Sequence, residues 1–116
     1  MVSNSLMKTI AVGKDFSELP MGRYHPKDGQ TSGQRFREEL LVPLLREPGN
    51  LTVIIDDVEG YGSSFLDESF GGLVREGYFT PQQLQEKLVI SLTNPNFEFY
   101  RKMIWRYIDA ARQRVA

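Results

Sequence analysis

Two adjacent serines are the residues of this sequence best placed to do chemistry. Ser63 and Ser64 lie in the segment GYGSSFLDESFGGL, residues 60–73, which follows the apolar run LTVIIDD. If that run is a strand and the serines begin a helix, the free N–H groups and the positive end of the helix stabilise an anion beside them. The serines can therefore cap the helix, bind an anion or accept a phosphoryl group. A capping box of Ser64 and Asp67 is the simplest role, and it explains Ser63 less well.

Known motifs for phosphate binding and for serine nucleophiles do not fit this segment. The only Gly-Lys pair, in residues 13–15, is followed by Asp rather than Ser or Thr, so a phosphate-binding loop is excluded. A dinucleotide fingerprint requires Gly where Phe65 stands, and a hydrolase elbow requires Gly where Leu66 stands. The single His, His25, lies in a distant loop and is a poor candidate for a catalytic base. We therefore expect no catalytic residues and no enzymatic activity.

Carboxylates around the same strand end could instead hold a metal ion, because hard cations prefer oxygen ligands. The residues concerned are Asp56, Asp57, Glu59, Asp67 and Glu68. Turn chemistry and the preference of acids for a helix start are the better explanation of these residues. With one His and no Cys, we expect no zinc site built from this chain alone. We expect neither a metal nor another cofactor.

The elements that must position these residues alternate between strands and helices. Apolar, β-rich runs predict strands at residues 6–12, 51–56 and 88–92, and a brief strand at 22–24 could pair back on the first. Helices are predicted after a cap at Thr31 or Ser32, after Ser64, after Thr80 and after Asn94, and Pro43 should kink or end the first of them. This order predicts a small α/β domain over residues 1–116, with a mainly parallel four-stranded sheet, a possible N-terminal antiparallel hairpin and helices packed around the sheet. The 51–56 strand, apolar on both faces, should lie between helices.

Composition and charge narrow the class of protein and of partner. Hydrophobic residues make up 41% and charged residues 25% of the chain, as in soluble globular proteins. The net charge of -1 offers no general attraction to nucleic acid or to a membrane, so we expect neither as a partner. The absence of Cys excludes disulfides, and no signal peptide or long apolar run is recognisable. These features predict a cytoplasmic protein.

Several residues are candidates for an interaction surface. Gly71 and Gly72 cost a helix up to ~1 kcal/mol each, which suggests close approach by another backbone or a partner, or a local kink. Arg23 and Arg35, from the long loop and the helix after it, could join His25 in gripping a phosphate beside the serines. Trp105, Phe99 and Met103 on the last helix could form a homodimer surface or belong to the core. The full set of surface candidates is Arg23, Arg35, Tyr61, Gly62, Asp67, Gly71 and Gly72.

The segments LPMGRYHPKDGQTSGQRFREELLVPLL (residues 19–45) and LTVIIDDVEGYGSSFLDESFGGLVREG (residues 51–77) resemble the STAS-like domain family of unknown function found in bacterial proteins. The resemblance extends over roughly Phe16 to Leu92 and is most specific in GRY, SGQRFREE and SSFLDESFGGL. This family is similar in layout to the STAS domains of anti-sigma-factor antagonists. The resemblance implies a small α/β fold and a non-enzymatic regulatory module that binds a protein partner.

The resemblance also implies a role for one serine. In the antagonists, a kinase of the histidine-kinase-like ATPase type phosphorylates the first serine of an Asp-Ser-Ser-Gly motif, which switches partners. That motif falls on residues 62–65 here, with Gly62 in place of Asp and Phe65 in place of Gly. Ser63 matches the phosphoacceptor and Ser64 the second serine. An ATPase-type kinase is accordingly the expected partner, and a small-molecule, nucleotide or anion sensor built on Ser63 and Ser64 is the alternative.

Overall fold

A three-stranded parallel sheet forms the centre of the protein. The structure is a computed structural model that describes residues 7–114. Strand β2 (Leu51–Ile54) lies between β1 (Lys8–Ala11) and β3 (Leu88–Ser91), and both pairs are parallel. Each observed strand begins and ends within two residues of the run that predicts it. Leu6, the first residue of the first predicted run, lies outside the described residues. Parallel pairing requires long crossovers, which the helices supply.

The predicted fourth strand and the N-terminal antiparallel hairpin are wrong. Residues 22–24 belong to the loop before the second helix, and the carbonyls of the first two accept bonds from the start of that helix instead of from β1. The N–H of Gly33 donates to the carbonyl of Gly22 at 2.8 Å, and the next amide donates to the carbonyl of Arg23 at 2.9 Å. Gly22 has a φ of 90°, and the Asp28 carboxylate accepts the amides of residues 23 and 24. These two features turn the chain where a strand needs it extended.

Five helices complete the described structure. Helix α1 is Val12–Asp15, α4 is Pro81–Lys87, and α5 is Glu98–Ala110, preceded by a 3-10 turn at Pro95–Phe97. Helix α2 (33–46) and helix α3 (63–75) each contain a π segment, Arg37–Leu41 in α2 and Asp67–Gly71 in α3. The predicted caps at Ser32 and Thr80 are confirmed, and Thr80 forms a reciprocal capping box with Gln83. In the part of the chain that the structure describes, no helix is long and apolar enough to cross a bilayer.

Helix α2 continues past Pro43, which excludes one of the two outcomes expected for this proline, an end of the helix. The proline has no N–H, and in a regular α-helix its ring clashes with the carbonyl four residues before it. The π segment directly before Pro43 makes a wider turn, in which the N–H of Val42 donates to the carbonyl of Arg37, five residues back. The helix therefore continues to Arg46.

The hydrophobic core lies against one face of the sheet. Along β2, Leu51 and Val53 are buried in the core, whereas Thr52 and Ile54 on the other face are only half-buried. On β3 the same alternation leaves Val89 45% exposed. The expectation that the central strand is buried on both faces is therefore wrong. All of the described helices that contribute to the core do so from one side, with α5 packed against the π segment of α3.

Candidate functional site

Ser63 is the first residue of α3 and follows the carboxyl end of the central strand by a short loop. Its side chain is exposed, whereas Ser64 is half-buried. The predicted cap at Ser64 is wrong, because the helix starts two residues earlier than such a cap implies and Gly62, in an extended conformation, is the N-cap. Gly62 has no side chain with which to cap, so capping accounts for neither serine. Ser63 is left at the predicted helix start with its hydroxyl facing solvent.

Two consecutive aspartates connect the loop after β2 to the segments that follow the two neighbouring strands. Asp57 accepts the amides of Gly13 and Lys14 at 2.7 and 2.9 Å, which ties the loop after β2 to α1. Asp56 accepts the amides of Thr93 and Asn94 at 2.6 and 2.8 Å, which ties it to the segment after β3. The bond from Asn94 is the main cause that lowers the pKa of Asp56, and the bonds from Thr93 add to it. These aspartates therefore join the carboxyl ends of all three strands.

Tyr61 anchors the loop that leads into Ser63. Its hydroxyl donates to the carbonyl of Ile55 at 2.7 Å, and its ring stacks on Phe65 and meets the edge of Tyr100. Burial, followed by the nearby acidic side chains, raises the pKa of Tyr61 above its ordinary value, so the hydroxyl remains a donor. Tyr61 is half-buried and holds the loop in place, which makes it a positioning residue for Ser63.

Asp67 lies one helical turn after Ser63 and pairs with two arginines. Its amide donates to the carbonyl of Ser63, which places the two residues on the same side of the helix. The carboxylate accepts from Arg23 at 2.8 Å and from Arg75 at 3.3 Å. Arg23 also reaches Glu68 at 3.2 Å, and these bonds outweigh partial burial to raise its pKa. The predicted surface residues Arg23 and Asp67 are thus brought together, as a bridge between the long loop and α3.

A buried ion pair between α2 and α3 lies behind this bridge. Arg37 donates from Nη1 to Glu68 Oε2 and to the carbonyl of Glu68, both at 2.7 Å, and the two side chains are only 4% and 2% exposed. Arg37 Nε also donates to Glu38 at 2.8 Å. Burial by itself lowers the pKa of Arg37, but the bonds to Glu68 and Glu38 outweigh it and raise the pKa. The buried guanidinium therefore stays charged because the carboxylate of Glu68 is buried beside it and Glu38 pairs with it from the surface.

Gly71 and Gly72 are buried and do not form part of an interaction surface. A Cβ on Gly72 would lie 2.3 Å from Nη1 of Arg37, and a Cβ on Gly71 would lie 2.7 Å from the Asp67 carboxylate. The close approach that the glycines predict therefore comes from inside the protein. Gly33 of α2 has the same role on the other side, because its Cβ would lie 2.5 Å from the carbonyl of Phe65.

The remaining candidates, Arg35 and His25, form their hydrogen bonds away from the two serines. Arg35 donates to Glu39 and to the carbonyl of Gln30, both at 2.7 Å, and the His25 ring faces Gln30 at 3.3 Å. These bonds stay within the long loop and α2. Among residues 7–114, no three or more acidic or His side chains are grouped to hold a metal ion. On α5, Met103 and Trp105 pack against the core and Phe99 is exposed.

Sequence reasoning missed the ion pairs that Arg37, Glu68 and Arg75 form. Arg37 and Glu68 are 31 positions apart, and both stand in the π segments, where the wider turn admits extra residues to the buried side. The only local signal is the Gly-Gly pair after Glu68, since the space left by Gly72 receives the guanidinium of Arg37.

The fold and the site together define an α/β domain with a parallel three-stranded sheet and an exposed serine at the start of the helix after the central strand. The sequence profile of a STAS-like domain of unknown function (DUF4325) matches residues 32–97, from the cap of α2 to the start of α5. The match covers more than half of the chain, and the chain belongs to this family. No curated protein and no solved structure matches the chain.

Proposed function

We propose that this protein is a non-enzymatic regulatory module that binds a protein partner at the carboxyl edge of its sheet. Membership of the STAS-like family supports a regulatory interaction role. The exposed position of Ser63 at the first residue of α3, beyond the central strand, is the observation that carries the choice of surface. The loops around it are held in place by Asp56, Asp57 and Tyr61. The surface is therefore preformed, and little conformational entropy is lost when a partner binds.

The proposed switch is phosphorylation of Ser63 by a kinase of the histidine-kinase-like ATPase type. A phosphoserine adds roughly -1.5 to -2 charges, and the start of a helix accommodates negative charge. The new charge would stand one turn from Asp67, whose carboxylate already engages Arg23 and Arg75. Repulsion from Asp67 and attraction to the two arginines would both alter this surface, and with it the affinity for the partner.

A sensor of nucleotides or other anions has less support. The arginines that such a sensor would use are engaged elsewhere, Arg23 with Asp67 and Glu68, and Arg35 with Glu39. A thermal-shift series with nucleotides and inorganic phosphate tests this alternative. A rise in melting temperature that is lost in Ser63→Ala and Ser64→Ala would favour it over the switch.

The switch is tested with a purified kinase of the proposed type, ATP and three proteins: the parent, Ser63→Ala and, as a matched neighbour, Ser64→Ala. Intact mass should show one added phosphate in the parent and in Ser64→Ala, and none in Ser63→Ala. Partner affinity is then measured for the parent, for Ser63→Ala and for Ser63→Asp. If neither substitution at Ser63 changes partner affinity, the switch is refuted.

A further inference from the structure

A cleft beside the Ser63 loop combines negative charge with one exposed leucine. It has a volume of about 370 Å³ and lies between the segment after α1 and the loop after β2. Its lining residues are Glu18, Leu19, Asp57, Val58 and Glu59. Three of the five are acidic and none is basic. The cleft therefore pairs apolar surface with a field that attracts cations.

The charge of the surrounding segments has the same sign. Residues 12–20 and 56–62, which supply both walls, contain five acidic residues and a single base, Lys14. Neither Glu18 nor Glu59 is joined to Lys14 in the described structure, where the amide of Lys14 donates to Asp57. The whole chain has a net charge of only -1, so the negative charge here is a local concentration.

Leu19 is held in solvent by neighbours that are anchored. Its side chain is 67% exposed, although Pro20 beside it is buried and Phe16 before it packs on the rings of Phe36 and Phe65. The amide of Leu19 also donates to the hydroxyl of Ser17 at 3.0 Å. Leu19 therefore adds a fixed apolar contact to the acidic lining of the cleft.

The two walls of the cleft are also fixed relative to each other. The bonds from the amides of Gly13 and Lys14 to the Asp57 carboxylate join the β1 side to the β2 side. A Cβ on Gly13 would lie 2.4 Å from the carbonyl of Asp57, so the two backbones are nearly in contact. A partner would therefore meet a preformed cleft.

We propose that this acidic cleft binds a basic segment of the protein partner, with Lys or Arg side chains facing Glu18 and Glu59 and an apolar side chain packed on Leu19. The proposal rests on the proposed function, because it names the chemistry of the partner that the module recognises. Charge complementarity selects this occupant, since an acidic or purely apolar segment would bury the carboxylates without a counter-charge.

The test uses a fluorescent pentapeptide of alternating Arg and Leu and its charge-inverted counterpart of alternating Glu and Leu. Binding is followed by fluorescence anisotropy, and the contact site is mapped from amide chemical shifts. The Arg-Leu peptide should shift the amide resonances of Glu18, Leu19, Val58 and Glu59. Its affinity should fall when salt is added. Binding of the Glu-Leu peptide with equal affinity, or shifts centred elsewhere, would overturn the proposal, as would no binding of the Arg-Leu peptide at millimolar concentration.

Variants separate the charge of the cleft from its shape. Replacing both carboxylates, Glu18→Gln with Glu59→Gln, should lower the affinity for the Arg-Leu peptide about three- to tenfold. Leu19→Ser should lower this affinity about threefold or more. Glu86→Gln on α4 and Val89→Ser on the other face of the sheet are matched controls that should change affinity by less than about twofold. Unchanged affinity in the double variant would contradict the proposal.

The outcome is independent of the switch at Ser63, because neither a kinase nor the natural partner is present in the peptide assay. Peptide binding at the cleft together with a partner affinity that ignores Ser63 would remove the switch and leave the cleft. The reverse result would remove the cleft and leave the switch.

Discussion

Removing the carboxylate of Glu68 should be among the most destabilising polar substitutions in this protein. Glu68→Gln keeps the shape of the side chain but leaves the buried guanidinium of Arg37 without its nearest counter-charge, which lies at 2.7 Å. Breaking a buried ion pair by removing one partner costs about 3–5 kcal/mol. Arg37 keeps two acceptors in the variant, Glu38 and the main-chain carbonyl of residue 68. We therefore expect a loss near the lower end, about 3 kcal/mol.

Urea unfolding followed by circular dichroism measures this loss. With a slope of about 1–3 kcal/mol per molar urea, the midpoint should fall by roughly 1–3 M. Asp67→Asn is the matched control, because Asp67 is 25% exposed and its partners Arg23 and Arg75 can turn to water. Because these pairs are partly open to solvent, we expect Asp67→Asn to cost no more than about 1 kcal/mol.

A double variant separates the lost charge from a general disturbance of the helix. Adding Arg37→Met to Glu68→Gln removes the uncompensated guanidinium, so the double variant should recover at least about 1 kcal/mol relative to Glu68→Gln alone. A cost below about 1 kcal/mol for Glu68→Gln, or a double variant whose loss equals the sum of the two single losses, would refute the account of a buried, mutually dependent pair.

Three further substitutions test individual contacts. Gly72→Ala should cost about 1–3 kcal/mol in urea unfolding because its Cβ would collide with Arg37, whereas Gly62→Ala, with no atom within 4 Å of its Cβ, should change stability by about 0.5 kcal/mol or less; equal effects would contradict the packing argument. Tyr61→Phe should lose about 1 kcal/mol with the hydrogen bond to the end of β2, and no loss would mean that the hydroxyl does not anchor the loop. Asp56→Asn should lower stability by about 1–2 kcal/mol at neutral pH. Because the fold lowers the pKa of Asp56, the contribution of its carboxylate is complete above the unfolded value of about 3.9 and disappears as the pH falls through the lower folded value. Thermal unfolding of both proteins at about pH 6 and about pH 3 should therefore show the difference shrinking in acid, and a constant difference would exclude titration of this carboxylate as its cause.

Strands β2 and β3 could be predicted because the sequence signal for a strand is local. Runs of β-branched residues such as 51–56 and 88–92 favour strands wherever they stand, and the observed strands start at Leu51 and Leu88. The prediction of a strand at residues 22–24 was wrong because the chain turns there, and the turn depends on the Asp28 carboxylate and on a left-handed glycine. A short run without apolar alternation does not show whether such a turn overrides it.

The place of Ser63 near the start of a helix after the central strand could be predicted from the sequence, whereas the contacts around it could not. The pattern of strand, glycine and serine indicated a helix start here, but the predicted N-cap at Ser64 lies two residues after the observed N-cap at Gly62, because the exact end of a helix depends on its local cap geometry. The bonds of Asp56 and Asp57 to neighbouring loops depend on which strands lie beside β2. The order of strands is a tertiary property that spacing along the chain does not contain.

The π segments of α2 and α3 also set the rotational phase of everything that follows them. Each adds one residue to its helix, and one residue of an α-helix corresponds to about 100° of rotation. A chain shortened by one residue within 67–71 would therefore keep its helix but turn Gly72 away from the guanidinium of Arg37 and Leu73 away from the core. The two segments contact each other, so both helices make the same correction at the same level. The length of this chain is thus constrained inside two of its helices, where removal of one residue would disturb the core.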